Sequence, residues 1–241
     1  MDFEIKIFIW GINEDRKKIE DMCINCLDTA KKYNIKTEFI GIGIKFKEHK
    51  QRLEILKNFL PNIDPNTIII FMDGSDTLFN DNLNNILEKF LKKNTRILVS
   101  AEKGFTYQYN EFKDKFNEKY KNYRYKYVNA GTFMGYAGDL SKMIDDLIEI
   151  DKKRQANDQG LLGMWVHKNL DNTDLIKMDI ENDVFWVTTG DWETIMSDDF
   201  SNNKEIINPF THSRPCIIHY TGKGATYLSK GYYKLYNLIM K

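Results

Sequence analysis

The chain has 241 residues, 42% of them hydrophobic and 13% aromatic, which is enough to build one sizeable core. Its 35 basic and 35 acidic side chains cancel, so the sequence lacks the basic character of a nonspecific nucleic-acid binder. No apolar run reaches transmembrane length and the first residues show no signal-peptide pattern, so we expect a cytoplasmic protein that binds no membrane and no nucleic acid.

The first hundred residues alternate between strand and helix patterns. Strands are predicted over residues 3–10, 36–40, 68–72 and 96–101, and helices over residues 14–33, 50–60 and 83–91. This alternation predicts an α/β fold with a parallel sheet and right-handed crossovers. The sequence lacks both a P-loop and a Gly-x-Gly-x-x-Gly fingerprint, although the order resembles a nucleotide-binding βαβαβ unit.

The remaining residues show weaker periodicity. A tyrosine-rich stretch over residues 105–127 predicts a loop or helix near a site, and three glycines lie within a predicted strand over residues 128–138. One helix is predicted from its N-cap Asp139 to about residue 151. Two more are predicted from about residue 158 to 167 and over residues 232–240. Short strands are predicted near residues 175–178, 184–187 and 217–219. We expect one domain over residues 1–241.

Two carboxylates follow the most apolar predicted strand. Asp73 and Asp76 are separated by a Gly-Ser turn, at the edge of an open α/β sheet where ligands bind. Carboxylate oxygens at this spacing suit Mg²⁺ or Mn²⁺. The alternative is that one of the two caps the helix that begins near Asp81. We predict a metal site.

A third metal ligand is predicted from a distant segment. His219 ends a predicted strand and precedes Gly222, Lys223 and Gly224, a turn in which backbone amides and one ammonium can approach an anion. A histidine after a strand is otherwise structural. Surface or structural roles are predicted for the three other histidines, His49, His167 and His212.

Other polar residues have two interpretations each. Asp158 and Gln159 begin a predicted helix, where Asp158 is either its cap or a carboxylate directed at a sugar. Asn129 is either part of a turn or a polar contact in a cleft, and Glu102 ends the fourth predicted strand at another candidate rim. The cysteines (Cys23, Cys26 and Cys216) fit buried apolar positions, since no second pair completes a zinc site.

Five motifs in register carry a family resemblance. They are Phe71-Met72-Asp73-Gly74-Ser75-Asp76, Ser100-Ala101-Glu102, the segment over residues 128–137, Asp158-Gln159 and Ile218-His219-Tyr220-Thr221-Gly222. Their order and spacing resemble the glycosyltransferase domain of the procollagen lysyl hydroxylases, in a stand-alone form. The hydroxylase iron motif His-x-Asp does not occur in the chain.

The resemblance implies a GT-A (Rossmann-like) glycosyltransferase domain with a mixed central sheet. It implies a nucleotide-binding half over residues 1–103 and an acceptor and sugar half over residues 104–241. The implied cofactors are Mn²⁺, with Mg²⁺ possible, and a UDP-sugar donor. The implied reaction is transfer of glucose, with retention, from UDP-glucose to galactosyl-hydroxylysine of a collagen-like protein.

The resemblance also implies roles for particular residues. Asp73, Asp76 and His219 hold the metal. Asn129 and Asp158 carry catalysis at the donor sugar. The donor is bound by a further group: Trp10, Phe46, Ser75, Gln159, Gly222 and Lys223. Three departures from the family pattern stand out: Phe46 replaces a tryptophan, Ser75 replaces a tyrosine, and the acidic run before Gln159 is reduced to Asn157-Asp158.

The sequence leaves two other functions open. The segment after the central strand also resembles the Asp-x-Asp-Gly-Thr motif of haloacid-dehalogenase-type phosphatases, although here the two aspartates are three residues apart. The second rival is a UDP-sugar or glycan-binding module whose catalysis has decayed, a reading that the shortened acidic run favours.

Overall fold

The structure is a computed structural model that describes residues 4–106, 110–154, 156–197, 205–222 and 226–241. Within these residues the strands are β1 (Ile5–Asn13), β2 (Glu38–Ile42), β3 (Ile68–Met72), β4 (Thr77–Phe79), β5 (Ile97–Glu102), β6 (Tyr127–Tyr136), β7 (Ile176–Asp179), β8 (Phe185–Val187) and β9 (Ile217–His219). The α-helices are α1 (Arg16–Met22), α2 (Ile24–Lys32), α3 (Gln51–Phe59), α4 (Leu83–Lys92), α5 (Lys113–Lys119), α6 (Ala137–Arg154), α7 (Asp158–Asn169), α8 (Trp192–Ser197) and α9 (Thr226–Met240).

A six-stranded mixed sheet forms the centre, in the order β2-β1-β3-β6-β5-β7. The pairs of β1 with β2 and β3, and of β5 with β7, are parallel as the strand-helix alternation predicts. β6 is inserted between β3 and β5 and is antiparallel to both. The predicted α/β class and the mixed sheet are therefore both observed.

β3 is fully buried, and all five of its residues are 0% exposed. Helices cover both faces of a strand in this position, which is why its sequence is apolar without alternation. Full burial of each large apolar side chain contributes about 1.5–3 kcal/mol. Asp73 directly follows β3, so this strand places Asp73 at the edge of the sheet.

A second sheet has three strands in the order β4-β9-β8. β4, which the sequence pattern does not predict, follows Asp76 directly and pairs antiparallel with β9, so that Thr77 lies opposite His219. The backbone N–H of Tyr220 also donates to the carbonyl of Asp76 at 2.7 Å. This pairing joins two segments that are far apart in the chain.

Several predicted boundaries are wrong. The single helix predicted over residues 14–33 is two helices, because Cys23 leaves helical geometry between α1 and α2 and packs into the core against Gly74. Asp139 is not the N-cap of α6, which begins at Ala137; instead its carboxylate accepts a hydrogen bond from Arg96. The three cysteines are buried, as predicted.

The helix-cap alternatives for the site aspartates are also wrong. The N-cap of α4 is Asn82, whose side chain accepts from the backbone N–H of Asn85, so neither aspartate after β3 serves there. The N-cap of α7 is Asn157, whose side chain accepts from the backbone N–H of Gly160 at 2.7 Å. Asp158 is the first residue of that helix, and its carboxylate is available for other contacts.

Candidate active site

The predicted metal ligands come together at the edge of the central sheet. Asp73, Asp76 and His219 each offer a ligand atom, and these atoms lie within 4.8 Å of one another. His219 Nε2 lies 3.6 Å from Asp76 Oδ1 and 3.9 Å from Asp73 Oδ2. No other group of this kind occurs in the part of the chain that the structure describes.

The electrostatics of this group reflect its low exposure. Burial raises the pKa of Asp73, and the Arg52 guanidinium beside it acts in the opposite direction. Burial by itself would lower the pKa of His219, but the carboxylates of Asp76, Asp73 and Glu102 outweigh burial and raise it. A divalent cation bound among these groups would relieve the crowding of negative charge.

Gly131 of β6 makes room for this group. Its carbonyl accepts from the backbone N–H of Asp73 at 2.8 Å. A Cβ at this position would overlap His219 Cε1 and lie 2.9 Å from Asp73 Oδ2. Gly131 therefore lies where the backbone of β6 closely approaches the site.

We expect Gly131→Ala to displace His219 or Asp73 and to weaken Mn²⁺ binding by at least about tenfold, the lower range for disturbed ligand support. Isothermal titration calorimetry measures the Mn²⁺ affinity of both proteins without donor. Gly138→Ala is the matched control, since its Cβ would lie 2.9 Å from Pro65 Cβ, away from the site. A Gly131→Ala protein with wild-type Mn²⁺ affinity would contradict the steric argument.

Arg52 is a site residue that the sequence analysis missed. Its guanidinium forms an ion pair with Asp73 and another, at 3.2 Å, with Asp158. It also lies 5.1 Å from the centre of the Trp10 ring. One signal was available: Arg52 is four residues before the buried Leu56, on the apolar face of α3, where a charge requires a partner.

Two clefts meet at Arg52 and Asp73. The first has a volume of about 360 Å³ and the second about 280 Å³. The first cleft is lined by apolar and polar side chains that include Trp10, Lys18, Met22, Phe46 and Ser75. The second cleft is lined mainly by polar side chains: His49, Asn129, Asn157, Asp158, Gln159 and His219.

Three of the predicted donor-binding residues, Trp10, Phe46 and Ser75, line the first cleft. Phe46 is 47% exposed at its mouth, and Ser75 is half-buried in its wall. Trp10 is 6% exposed and stacks on Phe71, with ring centres 5.5 Å apart. An exposed aromatic ring provides an apolar surface of the kind that a nucleobase stacks on.

Asn129, Asp158 and Gln159 line the second cleft, and the side-chain amides of Asn129 and Gln159 already have hydrogen-bond partners. Asn129 is 4% exposed, and its amide contacts His219, Glu102 and the backbone N–H of Gly131. Gln159 is 9% exposed, and its amide nitrogen donates to Glu102 at 2.9 Å. The carboxylate of Asp158 also lines this cleft, and it contacts the Arg52 guanidinium and the backbone N–H of Gln159.

The turn after β9 is partly described. Gly222 is exposed and adopts a positive φ of 81°, a conformation that glycine allows. The hydroxyl of Thr221 contacts that of Thr189 at 2.9 Å. Lys223 lies outside the described residues, so its predicted role stays a prediction.

His49, which we predicted to be surface or structural, is exposed and lines the second cleft.

Comparison with known proteins identifies the family. The model of the PLOD GT domain matches residues 18–237. The chain belongs to this family.

A Caenorhabditis elegans protein named multifunctional procollagen lysine hydroxylase and glycosyltransferase is 23% identical to this chain over 220 residues, which are 84% of this chain and 29% of that protein. A Drosophila melanogaster procollagen-lysine,2-oxoglutarate 5-dioxygenase is 28% identical over 136 residues, which are 50% of this chain and 18% of that protein. The chain thus spans less than a third of either relative.

Solved structures show the fold. A galactosyltransferase, LgtC, in complex with donor and acceptor sugar analogues has a TM-score of 0.57 at 13% identity, covering 98% of this chain and 95% of its own. A glycosyltransferase involved in the glycosylation of the major capsid of PBCV-1 has a TM-score of 0.52 at 9% identity, covering 99% of this chain and 100% of its own. Mouse xyloside xylosyltransferase 1 scores 0.51 at 10% identity, covering 93% and 99%.

These comparisons confirm the predicted family and the GT-A fold. The PLOD GT domain is a glycosyltransferase domain, so the chain is a glycosyltransferase and the phosphatase reading is wrong. None of the helices in the described ranges has the length and apolar character needed to cross a membrane.

Proposed function

We propose that this PLOD GT domain transfers glucose from UDP-glucose to galactosyl-hydroxylysine of a collagen-like protein, with retention and with Mn²⁺ as its cation. The observation that carries the proposal is the convergence of Asp73, Asp76 and His219 where the two clefts meet. The acceptor class rests on the family and on the names of the two relatives, both of which act on procollagen lysine.

The donor atoms of the site fit a divalent cation. Two carboxylates suit Mg²⁺ or Mn²⁺, and the added imidazole nitrogen favours Mn²⁺. The three ligand atoms lie within 4.8 Å of one another, a spacing that one cation can span. When bound, the cation supplies charge neutralisation for the diphosphate of the donor.

The chain's own residues have distinct tasks in this proposal. Phe46 and Trp10 hold the uracil in the first cleft by stacking. Asp158 places a negative charge beside the reacting carbon of the donor sugar, where positive charge develops in glycosyl transfer. Arg52 fixes Asp158 through the ion pair at 3.2 Å and adds positive charge near the diphosphate. Asn129 supports His219, a revision of its predicted contact with the sugar.

A donor screen that measures nucleotide release tests the proposal. With Mn²⁺ and a galactosyl-hydroxylysine peptide, we expect UDP release from UDP-glucose above all, and release that stops when the metal is chelated. The same peptide without galactose is the control for acceptor dependence. Turnover of non-uridine donors alone would contradict the donor assignment. Binding of UDP-sugars without any release or transfer would instead support the binding-module alternative.

A further inference from the structure

Glu102 lies at the centre of a buried polar network behind the candidate metal site. This residue ends β5 and is 1% exposed. Its Oε1 accepts from the Thr106 hydroxyl at 2.5 Å and the Gln159 amide at 2.9 Å. Its Oε2 accepts from the Thr189 hydroxyl at 2.7 Å and from the Asn129 amide nitrogen at 3.4 Å. Each carboxylate oxygen therefore faces one amide NH₂ group, which can only donate.

The orientation of the Asn129 amide follows from its two neighbours. Its Oδ1 accepts from the backbone N–H of Gly131 at 2.9 Å, and its Nδ2 faces Glu102. A backbone N–H only donates and a carboxylate accepts, so turning the amide over would break both contacts. Glu102 and Gly131 thus hold the Asn129 oxygen toward the metal ligands.

The tautomer of His219 follows in turn. His219 Nδ1 lies 3.1 Å from the same Asn129 oxygen, which can only accept. In the neutral imidazole the proton must therefore be on Nδ1. The lone pair is then on Nε2, the nitrogen that faces Asp76 at 3.6 Å and Asp73 at 3.9 Å.

We propose that Glu102 is a positioning residue that acts through Asn129 to hold His219 in the Nδ1–H tautomer, with Nε2 free to bind the metal. The inference rests on the proposed metal site and goes beyond it, because Glu102 touches neither the ligand atoms nor either cleft. Outer partners of a metal-binding histidine set both its tautomer and its ring orientation.

The wild-type protein without metal gives the first test. Nitrogen-15 NMR of labelled histidine, recorded at alkaline pH where the ring is neutral, distinguishes the two tautomers directly. The His219 signals are assigned as those missing from His219→Ala. We expect the Nδ1–H form, and an Nε2–H form would overturn the inference. This readout needs neither donor nor metal, so it does not depend on the proposed reaction.

Substitution of Glu102 gives the second test. Glu102→Met has similar length and removes both acceptors, so the Asn129 amide loses the partner that orients it. We expect Mn²⁺ affinity, measured by calorimetry without donor, to fall by roughly 10- to 100-fold, as for other outer partners of metal ligands. Glu102→Gln keeps one acceptor oxygen, so we expect its Mn²⁺ affinity to lie between those of the wild type and Glu102→Met. Affinity within about twofold of wild type in both variants would overturn the inference.

A buried carboxylate elsewhere controls for lost stability. Asp179 at the end of β7 is 1% exposed and accepts from the backbone N–H groups of Val184 and Phe185. Asp179→Asn should lower the thermal midpoint and leave Mn²⁺ affinity unchanged. If Glu102→Met does not fold, the Mn²⁺ affinity of Glu102→Gln and the tautomer of His219 in the wild type still test the inference. Absence of Mn²⁺ binding by the wild type would overturn the proposed function itself, a result distinct from a wrong tautomer with binding intact.

Discussion

Asp73→Asn, Asp76→Asn and His219→Ala are each expected to abolish metal-dependent sugar transfer while the fold stays intact. A bound divalent cation contributes several kcal/mol of transition-state charge stabilisation. A loss of about 4 kcal/mol corresponds to roughly a thousandfold in kcat. Initial rates of UDP release at saturating Mn²⁺, together with calorimetric Mn²⁺ affinity, measure the effect.

Thermal unfolding separates loss of a ligand from loss of the fold. The three side chains lie at strand ends, so we expect a destabilisation of about 1 kcal/mol or less, which is about 2–4 °C in a chain of this size. Asp183→Asn is a suitable control, because Asp183 is also half-buried and pairs with Lys89 at 3.4 Å, away from the site. Wild-type Mn²⁺ dependence in any one variant would remove that residue from the metal shell.

Asp158→Asn is expected to slow transfer without unfolding α7. Asn157 caps this helix, so the change leaves the cap untouched and is nearly isosteric. What it removes is the negative charge that pairs with Arg52 and faces the second cleft. Removing one transition-state contact costs about 2–4 kcal/mol, or tens- to several-hundred-fold in kcat. UDP affinity, measured by calorimetry with Mn²⁺, should stay near that of the wild type.

The structure offers a close control for this prediction. Asp139 is also in the first turn of a helix and pairs with an arginine, Arg96, at 2.7 Å. Its side chain is 15% exposed, the same fraction as that of Asp158. Asp139→Asn should lose comparable stability and keep full activity. If Asp158→Asn turns over within about twofold of wild type, the role of Asp158 is structural.

Local chemistry made much of this site predictable from the sequence. An unbroken apolar run indicates a strand buried on both faces, and the polar residues that follow it must lie at a sheet edge. Hence Asp73, Asp76 and His219 were predicted as one group, and the structure brings them within 4.8 Å. The glycines of the strand over residues 128–138 were noted as well, because a glycine in a strand marks either a bend or a close approach of the backbone to a ligand.

The tertiary structure decided what depends on distant partners. β6 lies antiparallel between β3 and β5, although strand-helix alternation alone predicts parallel neighbours. Arg52 shows no motif, and its role appears only when α3 places it between Asp73 and Asp158. The sequence indicates that Glu102 is a rim residue, yet it is buried and accepts from four donors, three of which come from distant segments. Periodicity reports which face of an element is buried, whereas the partner of a buried charge is set by packing between elements, which no local pattern contains.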